Sequence, residues 1–253
     1  MTNMKQILML PALVVMISVL VFSAQNAMAV TSTVSDALSC QSPSVGGVWT
    51  NGTSTCTVGT LVIGPTDTLA ISSNVVFSIG TVTSSGIIAN DGTILIASGG
   101  VITTSGTVNN NGIITNSGGT ITNSGPFANF GTITSSGTIT NGPTGTITSN
   151  GMINSTGVVT SSGSIIINKS GALNNNFGVL TNSLNIVNAG TLYSSGTFTN
   201  SGPVMNIGVI TNQGLLTNSN TITNSGTMTD LCGASLTNSG TIAINTVIDG
   251  CVA

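Results

Sequence analysis

The chain is 253 residues long and carries five aspartates and two lysines as its whole side-chain charge, with no histidine, for a net charge of −3. So sparse a charge excludes a nucleic-acid partner, because phosphate binding needs clustered Lys and Arg, and it offers no basic patch to an anionic membrane surface. It also leaves little equipment for acid–base chemistry.

In chain order, residues 1–29 read as a signal peptide. Lys5 supplies a positive start, Ile7 to Phe22 is an apolar run interrupted by Pro11 and Ser18, and Ala27-Met28-Ala29 is a small-x-small cleavage site. The run is short against the roughly 20 residues that a spanning helix needs. Cleavage is predicted after Ala29, leaving an exported chain, secreted or at the cell surface, with no stable membrane span.

Residues 30–79 differ in texture from the rest of the chain. They hold Trp49, the one tryptophan, and two strand-like runs, Thr57 to Ile63 and Thr68 to Ile71, separated by longer turns. An N-terminal cap carrying the first strands is the expectation. Cys40 and Cys56 lie here, while Cys232 and Cys251 lie near the other end. Four cysteines allow three connectivities. Local pairing, Cys40 with Cys56 and Cys232 with Cys251, is preferred because a long repeat domain keeps its ends apart. Candidate glycosylation sequons stand at Asn51, Asn154 and Asn168.

Residues 80–225 repeat a six-residue unit: glycine, a variable residue, an aliphatic residue, then a small polar run. Gly131-Thr132-Ile133-Thr134-Ser135-Ser136 runs straight into Gly137-Thr138-Ile139-Thr140-Asn141. Short fixed-period repeats signal a solenoid whose units bury their apolar faces against one another. Alternation along a strand turns the aliphatic inward and the flanking threonines outward. Glycine, by accepting positive φ, and the Asn-Ser flank are expected to form the corners. Eight-residue spacings such as Gly137 to Gly145 and Gly163 to Gly171 are read as corners that bulge outward without disturbing the stack.

The fold expected is therefore all-β, a single-stranded parallel β-helix, or β-solenoid. Three hexads per turn give a triangular coil of ~18 residues, and two give a flat coil of ~12; the triangular form is preferred. Residues 226–253 are expected to form the final coil and a C-terminal cap. An uncapped end would instead let molecules stack head to tail as filament subunits.

With Gly131 two residues before Ile133 and Gly145 two before Ile147, the hexads resemble those of the hexapeptide-repeat parallel β-helix proteins, and the chain is also similar to the G-x-[IVL]-x-N-x tracts of secreted, adhesin-like surface proteins. The first resemblance implies a left-handed coil. The acyltransferases of that group use a catalytic histidine, which this chain lacks, so their activity is not implied.

No catalytic constellation emerges. Asp36, Asp67, Asp91, Asp230 and Asp249 are scattered, and the many serines lack an activating base. No enzyme, no metal site and no cofactor is expected. The reading is a non-enzymatic structural or adhesive protein that presents hydroxyl and amide groups to glycans, to surfaces or to other copies of itself. An alternative is ice binding through Thr-x-Thr arrays. The pairs are Thr120 with Thr122, Thr132 with Thr134, Thr138 with Thr140, Thr146 with Thr148, Thr197 with Thr199, Thr221 with Thr223, and Thr227 with Thr229. Counted on the hexad frame, these pairs spread over all three sides of a triangular coil.

Overall fold

The computed structural model describes residues 29–244 and 247–249; nearly all of the expected signal segment, and Cys251, lie outside them. Each hexad supplies a four-residue strand whose side chains alternate out, in, out, in, followed by a two-residue corner. In Thr120–Asn123 the threonines Thr120 and Thr122 point outward and Ile121 and Asn123 are buried, as the pleat requires. β-branched residues suit such a surface, and the density of glycine and asparagine disfavours helix.

The chain opens with β1 (Thr31–Val34), a single-turn helix α1 (Ala37–Cys40) and β2 (Val48–Thr50), then enters the coils at β3 (Thr55–Ile63). β4 (Thr68–Ile71), β5 (Val76–Ser84), β6 (Ile87–Asn90) and β7 (Thr93–Thr104) follow. From there each coil contains three separate short strands, so the solenoid has three faces. The first face is an 11-stranded sheet running from β1, β4 and β6 to Thr241–Ile244. The second begins with the first halves of β3, β5 and β7 and continues through Ile113–Asn116 and Thr132–Ser135. The third begins with their second halves and continues through Thr120–Asn123 and Thr138–Asn141 to Ser235–Asn238. Because β3, β5 and β7 bend through a corner without interruption, the second and third faces join as one 19-stranded sheet.

Among the described residues all coil-to-coil pairing is parallel, and it is in phase apart from a register shift between Ile79 and Thr81 where β5 meets β7. Thr120-Ile121-Thr122-Asn123 lies opposite Thr138-Ile139-Thr140-Asn141, which lies opposite Val158-Val159-Thr160-Ser161. Within the coils, rung spacing ranges from Val76 opposite Thr93 to Val158 opposite Val179. The variation is absorbed at corners such as Gly142-Pro143-Thr144-Gly145, which leave the strands in register. Three strands per coil rule out the flat, two-sided form.

The column inside is not purely hydrocarbon. The second strand residue is the expected aliphatic, as with Ile133, Ile139, Ile147, Ile153 and Val159, each burial contributing about 2 kcal/mol. The fourth is also buried, and in most rungs it is polar. Every buried polar side chain among the described residues, from Ser84 to Asn224, is the last residue of its strand. The Asn-Ser flank is thus not simply a turn: its asparagine is a core residue at the corner.

Glycine needs the same revision. Among the described glycines, positive φ occurs in Gly46, Gly99, Gly118 and Gly233, not in those that open most hexads. Those are required by close approach. A Cβ on Gly131 would sit 1.9 Å from the Gly112 oxygen, and one on Gly151 would sit 2.0 Å from the Gly131 oxygen. Successive corners stack backbone on backbone, with no room for a methyl group between them.

At the N-terminal end β2 pairs antiparallel with β3, Trp49 opposite Cys56. Asp36 caps α1 by accepting from the Ser39 amide at 2.9 Å. Cys40 and Cys56 form a disulfide with a Cα–Cα distance of 5.6 Å, as local pairing anticipated.

Candidate binding surface

The carboxylates occupy structural posts. Asp67 accepts from the Val30 amide at 2.9 Å and the Gly64 amide at 3.0 Å. Asp91 accepts from Asn111 at 2.8 Å and Asp230 from Asn212 at 2.7 Å. The Ser39 backbone bond, then the Ser39 hydroxyl, hold the exposed Asp36 carboxyl below its ordinary value. No group of three or more His, Cys, Asp or Glu side chains that could hold a metal occurs among the described residues. A cleft of about 260 Å³ at the N-terminal end is lined by Val30, Ser44, Leu61 and Val62, and its one charged group is the already bonded Asp67.

The interior corners carry amide ladders. Asn90 Nδ2 donates to Asn110 Oδ1 at 2.7 Å, Asn110 to Asn129 at 2.7 Å, and Asn129 to the Ser149 hydroxyl at 3.1 Å. On the third face Asn182 donates to Asn200, Asn200 to Asn218 and Asn218 to Asn238, all at 2.7–2.8 Å. The second N–H of most of these amides serves a backbone carbonyl at or beside a corner, as when Asn200 donates to the Gly202 oxygen at 2.7 Å. Buried polar groups must be bonded, and a primary amide has two donors with which to do it.

Orphaned oxygens mark the places where the preceding rung carries no amide. The buried Oδ1 atoms of Asn90, Asn116 and Asn188 lack partners. They stack on Ile71, Ile96 and Ile167 respectively. Asn175 and Asn182 have the same orphan oxygen, opposite Ser155 and Ser161, and the Ser161 hydroxyl is spent on the Gly163 carbonyl.

The outside divides unequally among the three faces. The Thr-x-Thr pairs disperse as the hexad count anticipated. Thr132 with Thr134 and Thr227 with Thr229 fall on the second face. Thr120 with Thr122, Thr138 with Thr140, and Thr197 with Thr199 fall on the third. Thr146 with Thr148, and Thr221 with Thr223, fall on the first. Thr223 stands between Met205 and Ala243 there, not beside another threonine. Thr132, Thr134, Thr146, Thr148, Thr221 and Thr223 therefore do not share a plane with Thr120 and Thr122, because corners turn the chain between them.

Single threonines behave differently. On the third face the second outward residue of the strand is threonine in every rung from Thr83 through Thr103, Thr122, Thr140, Thr160, Thr181, Thr199 and Thr217 to Thr237. The matching column on the second face is mixed: Thr57, Ser78, Leu95, Thr115, Thr134, Asn154, Asn174, Tyr193, Thr211 and Thr229. On the first face it reads Ala128, Thr148, Ile166, Val187, Met205 and Thr223. Searching for pairs overlooks Thr83, Thr103, Thr160, Thr181, Thr217 and Thr237. A search by coil phase would find them.

The sequons sit elsewhere. Asn51 is exposed in the turn before β3. Asn154 lies on the second face and accepts from Asn174 at 2.8 Å, and Asn168 lies at a corner and donates to Asn150 at 2.7 Å. Cys232 is disulfide-bonded.

A three-faced parallel β-solenoid with neutral, hydroxyl- and amide-covered flanks defines the class of this protein. Two overlapping segments, residues 44–142 and 129–246, match the family model of the haemagglutinin repeat, so most of the chain is accounted for and it belongs to the haemagglutinin repeat family. No curated protein and no solved structure gives a significant match. Among the described residues no helix is long and apolar enough to cross a membrane.

Proposed function

We propose that this chain is an exported, non-enzymatic extracellular or cell-surface protein that works as a structural and adhesive rod. The observation that carries the reading is the haemagglutinin-repeat match over residues 44–246, on a solenoid whose outer strand positions are almost uncharged. Such flanks suit contact with neutral surfaces, glycans among them, where many weak polar contacts are summed along a rigid axis. The charge-steered encounters of acidic or basic proteins are not open to it.

Export is supported by the Lys5–Ala29 pattern and by a disulfide, which persists in oxidising compartments. In this reading the signal is cleaved after Ala29 and residues 30–79 cap the first coil, with β2 shielding the open edge of β3. Cys232 pairs with Cys251 to staple the other end. Where the host glycosylates, Asn51 is the best-presented acceptor.

Treating intact cells with a protease, followed by blotting, tests the location, and binding of the purified protein to glycan-coated surfaces tests the role. Release from intact cells together with saturable binding is expected. A protein that stays protected until the cells are lysed would overturn the reading.

A further inference from the structure

The third face is built differently from its neighbours. Its two outward columns, followed rung by rung, are Thr60 and Val62, Thr81 and Thr83, Val101 and Thr103, Thr120 and Thr122, Thr138 and Thr140, Val158 and Thr160, Val179 and Thr181, and Thr197 and Thr199. Every one of these side chains is β-branched. Leu215 and Ser235 interrupt the first column only in the last two rungs, while the threonine column continues to Thr237.

Each of these β-branched residues carries a γ-methyl group, and most add a hydroxyl. Rungs repeat at ~4.8 Å and the two columns stand ~6.7 Å apart, so the array is a two-dimensional lattice roughly 40 Å long. Packing does not call for such uniformity: the outward columns of the other two faces hold Asn, Ala, Met, Pro and Tyr on the same scaffold.

Three further observations bear on this face. None of its strands contains a charged residue. Asp91 and Lys169 lie at corners between the first and second faces, on the edge opposite the third, and Asp67, at the corner after β3, is bonded to backbone amides. Among the described residues, the hydroxyls of the threonine column from Thr83 to Thr237 make no hydrogen bond within the chain. They point at solvent as a free, regularly spaced array.

We propose that the third face binds the surface of ice. An ice crystal is uncharged, flat and periodic in two dimensions, and its oxygen planes repeat at distances close to both spacings of this array. Methyl groups in rows favour ordered water between them, and the hydroxyls anchor that water to the protein. β-branched side chains hold few χ1 rotamers, so the array loses little conformational freedom when the lattice forms on it. Charged groups would disrupt the match, and its strands hold none. All three sequons also lie off this face, so glycans attached to them would leave it bare.

Ice-affinity partitioning and inhibition of ice recrystallisation by the purified protein test the proposal. Incorporation of the protein into a growing ice front is expected. Thr140→Tyr and Thr160→Tyr, in the middle of the column, are expected to lower incorporation by about tenfold or more, as damage at the centre of a contact surface does. Thr134→Tyr and Thr211→Tyr add the same bulk to the second face and are expected to leave incorporation unchanged, with melting curves confirming that all four variants fold. Exclusion of the wild-type protein from ice overturns the proposal. So does equal loss from second-face variants. Binding to crystalline cellulose without binding to ice, or a dimer that Thr160→Tyr dissociates, would assign the face to a polysaccharide or to a second copy and overturn it as well. None of these results depends on where the cell places the protein.

Discussion

Asn110 is the position where the corner ladders are most directly tested. Its side chain is fully buried, accepts from Asn90 at 2.7 Å, and donates to Asn129 at 2.7 Å and to the Gly112 carbonyl at 3.2 Å. Asn110→Ala removes these three bonds, together with a longer one to the Thr132 oxygen at 3.5 Å, and leaves the Asn129 oxygen buried without a donor. At about 1 kcal/mol net per bond, with a further 1 kcal/mol or so for the orphaned acceptor, the expected loss is about 3–4 kcal/mol. Asn110→Ser is the informative partner, because serine occupies the equivalent position in the next coil but one. There Ser149 accepts from Asn129 at 3.1 Å and donates to the Gly151 carbonyl at 2.9 Å. A serine at 110 keeps the bond from Asn90 and the corner bond and loses only the onward one, for about 1–2 kcal/mol. In a chain of this size 1 kcal/mol shifts Tm by roughly 2–4 °C, so melting followed by circular dichroism should fall by about 10 °C for alanine and about 4 °C for serine. Equal Tm values for the two variants would show that the hydroxyl does not stand in for the amide, and a wild-type Tm for Asn110→Ala would show that the ladders contribute nothing to stability.

Four other outcomes are expected. Gly131→Ala forces a Cβ to within 1.9 Å of the Gly112 oxygen and should cost about 3 kcal/mol, whereas Gly59→Ala, with nothing within 4 Å of the new methyl, should be near neutral in urea unfolding. Ile167→Asn gives the orphaned Asn188 oxygen a donor and should stay within about 1 kcal/mol of wild type despite the lost apolar burial, unlike Ile139→Asn, which has no ladder to join and should cost about 3 kcal/mol or more. Cys40→Ala opens a link between residues 16 apart in sequence and should lower stability by about 3 kcal/mol, measured against the wild type under oxidising conditions. Tm should be nearly flat between about pH 5 and 9, since the sequence has no histidine. The Asp36 carboxyl, held low by its bonds to Ser39, stabilises above its unfolded pKa, and that contribution is lost as pH falls through the folded value. A Tm that changes steeply near neutral pH would contradict this.

The hexad of residues 80–225 determined the architecture without further help. An aliphatic every six residues between glycine and small polar residues, among β-branched neighbours, has few ways to be buried other than by stacking. The pairing of Cys40 with Cys56 was legible for a related reason, since rods keep distant cysteines apart. Two residue types have a role in the structure that their local sequence does not show. Glycine and asparagine at a corner look like turn formers on local grounds, but Gly131 is required by the Gly112 carbonyl of the coil before it, and Asn110 is held by the Asn90 and Asn129 amides 20 and 19 residues away. Neither contact exists within a single hexad. Which single threonines join the paired ones in a column was likewise decided by tertiary structure. The corners between hexads vary in length, so rung spacing runs from Val76–Thr93 to Val158–Val179, and a fixed six-residue count drifts out of phase. Hydrogen-bond register between coils resets that phase at every rung. That register brings Thr83, Thr160 and Thr237 into one column, and it agrees with the hexad count in placing Thr223 on another face.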